Sequence, residues 1–246
     1  PRGCTQRAAL QLIDRQELAE RLFRALWQGL GGTWAGRALE QAAPEGTRVL
    51  ARRQSRPWGE VLRHLNKTSD NTLTRLLFLE LGVPAMASEP QATTRELADR
   101  AVRQWLAGHG IGDQGLVLDN GSGLSRSERI TPWQLASMLR VAHAGRLAAE
   151  LVMSLPVAGV DGGLRRRLID SPAAGWARLK SGTLRNVVSL AGYVQDSDGR
   201  PWAVAMMINH ERAGTARPVL DALVDHIARH GPHGPAGVHS GPLSDG

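Results

Sequence analysis

Two runs rich in β-branched and apolar residues, Val187–Gln195 and Pro201–Asn209, flank the tetrapeptide Asp196-Ser197-Asp198-Gly199. Asp and Gly supply the tight reversal such a connection needs, so the pair reads as an antiparallel hairpin. A shorter run, 176–179, reads as a strand ahead of it, and 215–229 as a closing helix. Helical patterns dominate the chain upstream. Helices first, then antiparallel strands, then a helix predict an α+β fold with helices laid on a sheet.

The helical signals are local. Asp14 followed by Glu17 has the form of a capping box, and Leu18, Leu22 and Leu26 recur every fourth residue until Gly29, predicting an amphipathic helix. Pro57 opens a helix carrying Val61, Leu62 and Leu65, and a leucine-dense helix over 72–81 is stopped by Gly82 and Pro84. Residues 94–107 place Leu97, Ala101, Val102, Trp105 and Leu106 at helical spacing. Thr131-Pro132 starts another helix with Leu135, Met138, Leu139 and Ala142 as its apolar face. Short strands are expected at 47–53 and 116–118. The stretch 230–246, rich in Gly, Pro, Ser and His, reads as a disordered tail.

Composition narrows the function classes. The net charge is +7, but all basic residues except Lys67 and Lys180 are arginines, scattered among acids and apolar residues. Only Arg165-Arg166-Arg167 forms a run, which disfavours a nucleic-acid interface. Cys4 is the only cysteine, so neither an intrachain disulfide nor a cysteine-based metal site is available. The histidines lack zinc spacing such as His-Glu-x-x-His, and no metal or other cofactor is expected. No stretch of about 18 apolar residues suggests a transmembrane segment. His64, Ser69 and Asp70 are not a triad merely by adjacency, and no Gly-x-Ser-x-Gly elbow is present.

Two short motifs carry the chemistry: Ser69-Asp70-Asn71 and Lys180-Ser181-Gly182-Thr183. Read locally, the first has the form of an ordinary N-cap before a leucine-rich helix, and Lys180 that of an edge-strand charge. Asp119-Asn120-Gly121 and Asp161-Gly162 read as turns near the cleft, and Lys67 as either a surface residue or a cleft-lining one.

Their surroundings add a second reading. The stretch Leu62 through Asn71, the run Asp119-Asn120-Gly121-Ser122-Gly123-Leu124-Ser125-Arg126, the segment from Leu155 to Leu164, and Leu179 through Leu184 followed by Ser189-Leu190-Ala191-Gly192-Tyr193 appear in that order. Together they resemble the D-alanyl-D-alanine carboxypeptidase/endopeptidase family, the class C low-molecular-mass penicillin-binding proteins (peptidase family S13). Ser181 stands where the family usually has Thr. The family's Ser-x-x-Lys nucleophile motif occurs nowhere in the chain.

The resemblance implies part of a β-lactamase/penicillin-binding-protein-like fold. Residues 1–54 would be the end of an inserted region, 55–230 the later part of a transpeptidase-like domain and 231–246 the tail. With Pro1 at its start and no Ser-x-x-Lys, the chain is expected to be a fragment of a longer protein. Three catalytic residues are implied. Ser69 would relay a proton to the leaving nitrogen, the Asn71 amide would hold the substrate backbone, and Lys180 would supply positive potential. Ser181, Gly182 and Thr183 would bind substrate, through a hydroxyl on its carboxylate, a close backbone approach and an oxyanion-hole N–H respectively. The implied substrate is the D-Ala-D-Ala end of a peptidoglycan stem peptide, in the periplasm, with β-lactams as partners if the nucleophile is restored. The alternative is a non-catalytic relative that binds peptidoglycan or a protein.

Overall fold

The computed structural model describes residues 13–232, and packing divides the chain into two units that meet at Gln54 and Ser55. In the first unit, helix α1 (Arg15–Gly29) begins where Asp14 accepts the Glu17 N–H at 2.9 Å. The reciprocal half of a capping box is not formed, because the Glu17 carboxylate turns to Arg21 one helical turn on. The segment after α1 folds back along it through side chain–backbone bonds. Arg24 donates to the carbonyls of Trp34 and Gly36, and Glu20 accepts the Ala38 N–H. Phe23 stacks on Trp27 and meets Trp34 edge-on. The leucine stripe is nevertheless solvent-facing, with Leu26 69% exposed.

The strand expected at 47–53 does not form. Val49 and Leu50 are exposed, and a lone extended segment with no ladder partner gains nothing from strand geometry.

Among the described residues the second unit carries six α-helices and the sheet: α2 (Trp58–Thr68), α3 (Asn71–Glu80), α4 (Thr94–Gly108), α5 (Pro132–Ala144), α6 (Ala148–Ser154) and α7 (Arg217–His230). The α4 and α5 starts have complete capping boxes, Thr93 with Glu96 and Thr131 with Gln134. Helix α6 has no sequence signal of its own. It is only seven residues long and lacks a side-chain cap. The strand expected at 116–118 reduces to a single bridge, Val117 with Arg129. Of the tail, 233–246 lie outside the described residues.

Strands β1 (Arg178–Leu184), β2 (Val187–Gln195) and β3 (Pro201–Asn209) form one antiparallel sheet in the order β1-β2-β3. The first strand starts later than its sequence pattern suggested, because Ala177 closes a turn on Ala173 and pairing begins at Arg178 opposite Tyr193. The Asp196 carboxylate builds the β2–β3 turn by accepting the N–H groups of Asp198 and Arg200 and the Trp202 indole N–H. Val188, Leu190 and Val194 fall on one face by strand alternation. There they join Leu179, Val204 and the α7 residues Leu220, Val224 and Ala228 in the main core. On the opposite face the Tyr193 hydroxyl donates to Leu139 O of α5 at 2.7 Å. Helices therefore cover both faces, and a smaller core of Leu106, Ile111 and Leu116 packs against Met138 and Val141 of α5.

At Gly192 the β1 backbone leaves no room for a side chain. The Gly192 φ is +146°, and a Cβ there would fall 2.1 Å from Arg178 O and 2.9 Å from Leu179 Cα. Gly192→Ala is expected to lower the unfolding free energy by about 2–3 kcal/mol, from backbone clash and an unfavourable φ together. Urea denaturation measures it; a loss below about 0.5 kcal/mol would mean the sheet opens there without cost.

Candidate active site

Ser69 ends α2 in the left-handed conformation, φ 55° and ψ 50°. A side chain rarely adopts this geometry, which costs on the order of 1 kcal/mol. The kink lets α3 start at once: Asp70 caps it by accepting the Leu73 N–H at 2.9 Å, so Asn71 is its first residue. The capping and catalytic readings of Ser69-Asp70-Asn71 thus fall on different residues. Asp70 turns inward to the helix, while Ser69 is exposed beside the sheet.

Lys180 lies opposite Ala191 in the ladder, so its side chain leaves the sheet on the face of Tyr193 and α5. Its ammonium donates to Ser69 Oγ at 2.7 Å across 111 residues of chain, and to Ser181 O at 2.9 Å. Burial pushes the Lys180 amine below its ordinary value. The Asn71 amide donates to Ser122 O at 2.5 Å, which fixes its rotation. Ser69 and Lys180 are therefore in direct contact, and the Asn71 side chain, two residues from Ser69, is held by the glycine-rich loop.

The 180–183 backbone forms the rim. Leu179 N donates outward to Pro156 O at 2.9 Å, so by alternation the N–H groups of Ser181 and Thr183 point to the same outer edge. Ser181 faces away from Lys180, toward Gly163, where a Cβ would come within 2.6 Å of its hydroxyl. Gly182 pairs with Ser189, whose hydroxyl lies where a Gly182 Cβ would be, at 2.3 Å. Thr183 is exposed, and its Oγ1 accepts from Arg217 Nη2 at 3.4 Å. A depression of about 530 Å³ elsewhere is lined by Arg103, Gln104, Ile111 and Asp113, among others, and by none of these residues.

The supporting roles of two carboxylates, Glu128 and Asp161, escaped sequence reasoning. Glu128 accepts the N–H groups of Asn120 and Gly121 at 3.1 and 2.9 Å, bracing the loop that presents Ser122 O. Its only sequence signal is a carboxylate just beyond a run of loop N–H groups. Asp161, read as a turn residue, also binds Lys67 at 2.6 Å, and that lysine is half-buried rather than free on the surface.

The strand thus presents a lysine to a serine at a helix end, and the nearby asparagine amide is fixed by the loop at Ser122. Residues 1–229 match the model of the D-Ala-D-Ala carboxypeptidase 3 (S13) family. The chain belongs to that family. It is 35% identical over 228 residues to carboxypeptidase DacB of Mycolicibacterium smegmatis, covering 90% of this chain and 48% of that protein. To D-alanyl-D-alanine carboxypeptidase DacB of Haemophilus influenzae it is 31% identical over 198 residues, covering 80% of this chain and 40% of the other. It is also similar to the crystal structure of penicillin binding protein 4 (dacB) from Haemophilus influenzae, complexed with a β-lactam. The TM-score is 0.71 at 26% identity, over 85% of this chain and 51% of that one. The chain thus spans about half the length of the relatives it matches, and the α+β fold is that of the penicillin-binding proteins.

The lowered Lys180 pKa has a stability consequence. Below its folded value the ammonium is charged in both states, and the folded state bears the full burial penalty. The penalty shrinks as pH rises through that value and is gone above the ordinary 10.5. Lys180→Met is therefore expected to be more stable than the parent at pH 7, by up to about 1 kcal/mol since water still screens a half-buried charge. Denaturant midpoints measured at pH 7 and near pH 11 check this; a gap that persists at high pH would assign the gain to packing instead.

Proposed function

We propose that this chain carries the proton-relay and substrate-rim half of a serine-type D-Ala-D-Ala carboxypeptidase/endopeptidase site acting on peptidoglycan stem peptides. The observation that carries the reading is the Lys180 Nζ–Ser69 Oγ contact. An ammonium donating to a hydroxyl leaves the hydroxyl proton free to be passed on, and the buried lysine gives up its own proton more readily than a solvated one. Lys180 and Ser69 together form a relay toward the nitrogen that leaves when the peptide bond breaks.

The open edge of β1 suits an extended peptide added as a further strand. The outward Thr183 N–H would serve as one donor to the oxyanion, and the second would come from the nucleophile's own backbone. Ser181 and Arg217 border that edge as candidates for the terminal carboxylate, and Asn71 for the substrate amide. The proposed substrate class, peptidoglycan stem peptides, is the ground for placing that action in the periplasm. Among the described residues no helix is long and apolar enough to cross a membrane.

The nucleophile is the part not found in these 246 residues, where neither lysine follows a serine by three positions. That absence is also the observation behind the second reading, a non-catalytic relative that binds peptidoglycan or a protein.

Incubation of the chain with a fluorescent penicillin, followed by denaturing gel or intact mass, is expected to give no covalent label. Ser69 and Ser181 lack an activating lysine three residues on, and binding alone cannot form an acyl-enzyme. Joining or adding a family Ser-x-x-Lys segment is expected to produce labelling, and Lys180→Ala to abolish it. Stoichiometric labelling of the chain alone would mean that another residue is the nucleophile. A complemented chain that binds stem peptide without labelling would favour the second reading.

A further inference from the structure

The Ser69–Lys180 contact closes a ring whose other side is an ion pair. Lys67, two residues before Ser69 in the last turn of α2, donates to Asp161 Oδ2 at 2.6 Å. Asp161 Oδ1 accepts the Val157 N–H at 2.8 Å. Val157 in turn bridges Arg178 at the start of β1, flanked by Leu179 N to Pro156 O at 2.9 Å and Ala158 N to Ala177 O at 3.0 Å. Two residues along that strand is Lys180. A second contact tightens the joint: Gly162, at φ +54°, lies so close to Lys67 O that a Cβ would approach it to 3.1 Å. One carboxylate thus grips the helix end that carries Ser69 and the loop that anchors the strand carrying Lys180.

We propose that Lys67 and Asp161 are positioning residues, a clamp that fixes the helix end against β1 and so holds Ser69 Oγ on the Lys180 ammonium and water away from it. The proposal rests on the reading of Ser69 and Lys180 as the relay pair. The clamp is set apart from surface ion pairs by its surroundings. Burial opposes the Asp161 charge, yet the Lys67 and Val157 hydrogen bonds and the charges of Lys67 and Arg178 outweigh it and hold its carboxyl below the ordinary value. Around Lys180, burial is the cause of the lowered pKa and the Ser69 hydroxyl is the side-chain partner.

The chain has only two lysines, so growth with ¹³Cε-lysine gives two lysine resonances, and Lys67→Arg identifies that of Lys180 by elimination. Asp161→Asn separates two effects by sign. Removing a nearby negative charge would, through space alone, lower the Lys180 titration midpoint. Loosening the clamp admits water to Lys180 and raises the midpoint toward 10.5. The expected result is a rise in Asp161→Asn and a near-parent midpoint in Lys67→Arg, which keeps the bridge. The remaining tie of α2 to α6, Asn66 Nδ2 to Ser154 Oγ at 2.8 Å, keeps the helix docked in both. Should Asp161→Asn not fold, Asp161→Glu, which retains the charge but displaces the carboxylate by one methylene, is judged by the same rise. An unchanged or lowered midpoint in the folded variant overturns the clamp. Titration requires no turnover, so a clamp that stands while the chain complemented with a Ser-x-x-Lys segment fails to label with penicillin would reject the relay reading alone.

Discussion

The molecule depends on keeping an ammonium against a hydroxyl that neither α2 nor β1 would hold by itself. Lys180 and Ser69 are 111 positions apart, on a strand edge and at a strained helix end. Each has a strong reason to move: the lysine to recover hydration, the serine to leave the left-handed region. Their contact persists because both supports are fixed elsewhere, β1 by its ladder to β2 and the bridge at Val157, α2 by Lys67, Asn66 and the buried Leu65. Local strain of this kind persists only where the surrounding structure over-determines it.

Much of this was legible in the sequence, for reasons that differ by element. The hairpin Val187–Gln195 with Pro201–Asn209 was readable to the residue because β-branched runs end sharply at a turn whose Asp and Gly are required by its geometry. The helix starts at 94 and 132 were readable from apolar spacing and from Thr131-Pro132, and complete capping boxes at Thr93 and Thr131 fix them in the structure. Helix α6 was not, being short and held by what it packs on. The expected strand at 47–53 shows the reverse failure, since β-propensity without a partner specifies nothing.

The site was legible in its motifs and opaque in its supports. Ser69 and Lys180 stand in recognisable tripeptides, whereas Glu128 and Asp161 act through backbone N–H groups and a distant lysine. No periodicity links such partners. Asp161-Gly162 reads as a turn and is one. That the same carboxylate also reaches α2 follows only from the path of the chain in space.

The outer edge of β1 unites these features. An unpaired strand edge invites association with other chains, and proteins normally cover or charge it. Here Pro156 and Val157 cover its first residues through Leu179, while the N–H groups of Ser181 and Thr183 stay open, with Arg217 reaching to Thr183. The covering segment is the same loop that Asp161 binds to α2. One stretch, 155–164, therefore sets where the strand edge becomes available and how near the helix-end serine stands to it. Under the proposed function an incoming peptide strand would pair only where that loop stops, one residue before Lys180. Register between such a strand and the Ser69–Lys180 pair would then be set by the backbone, with no side chain needed to select it.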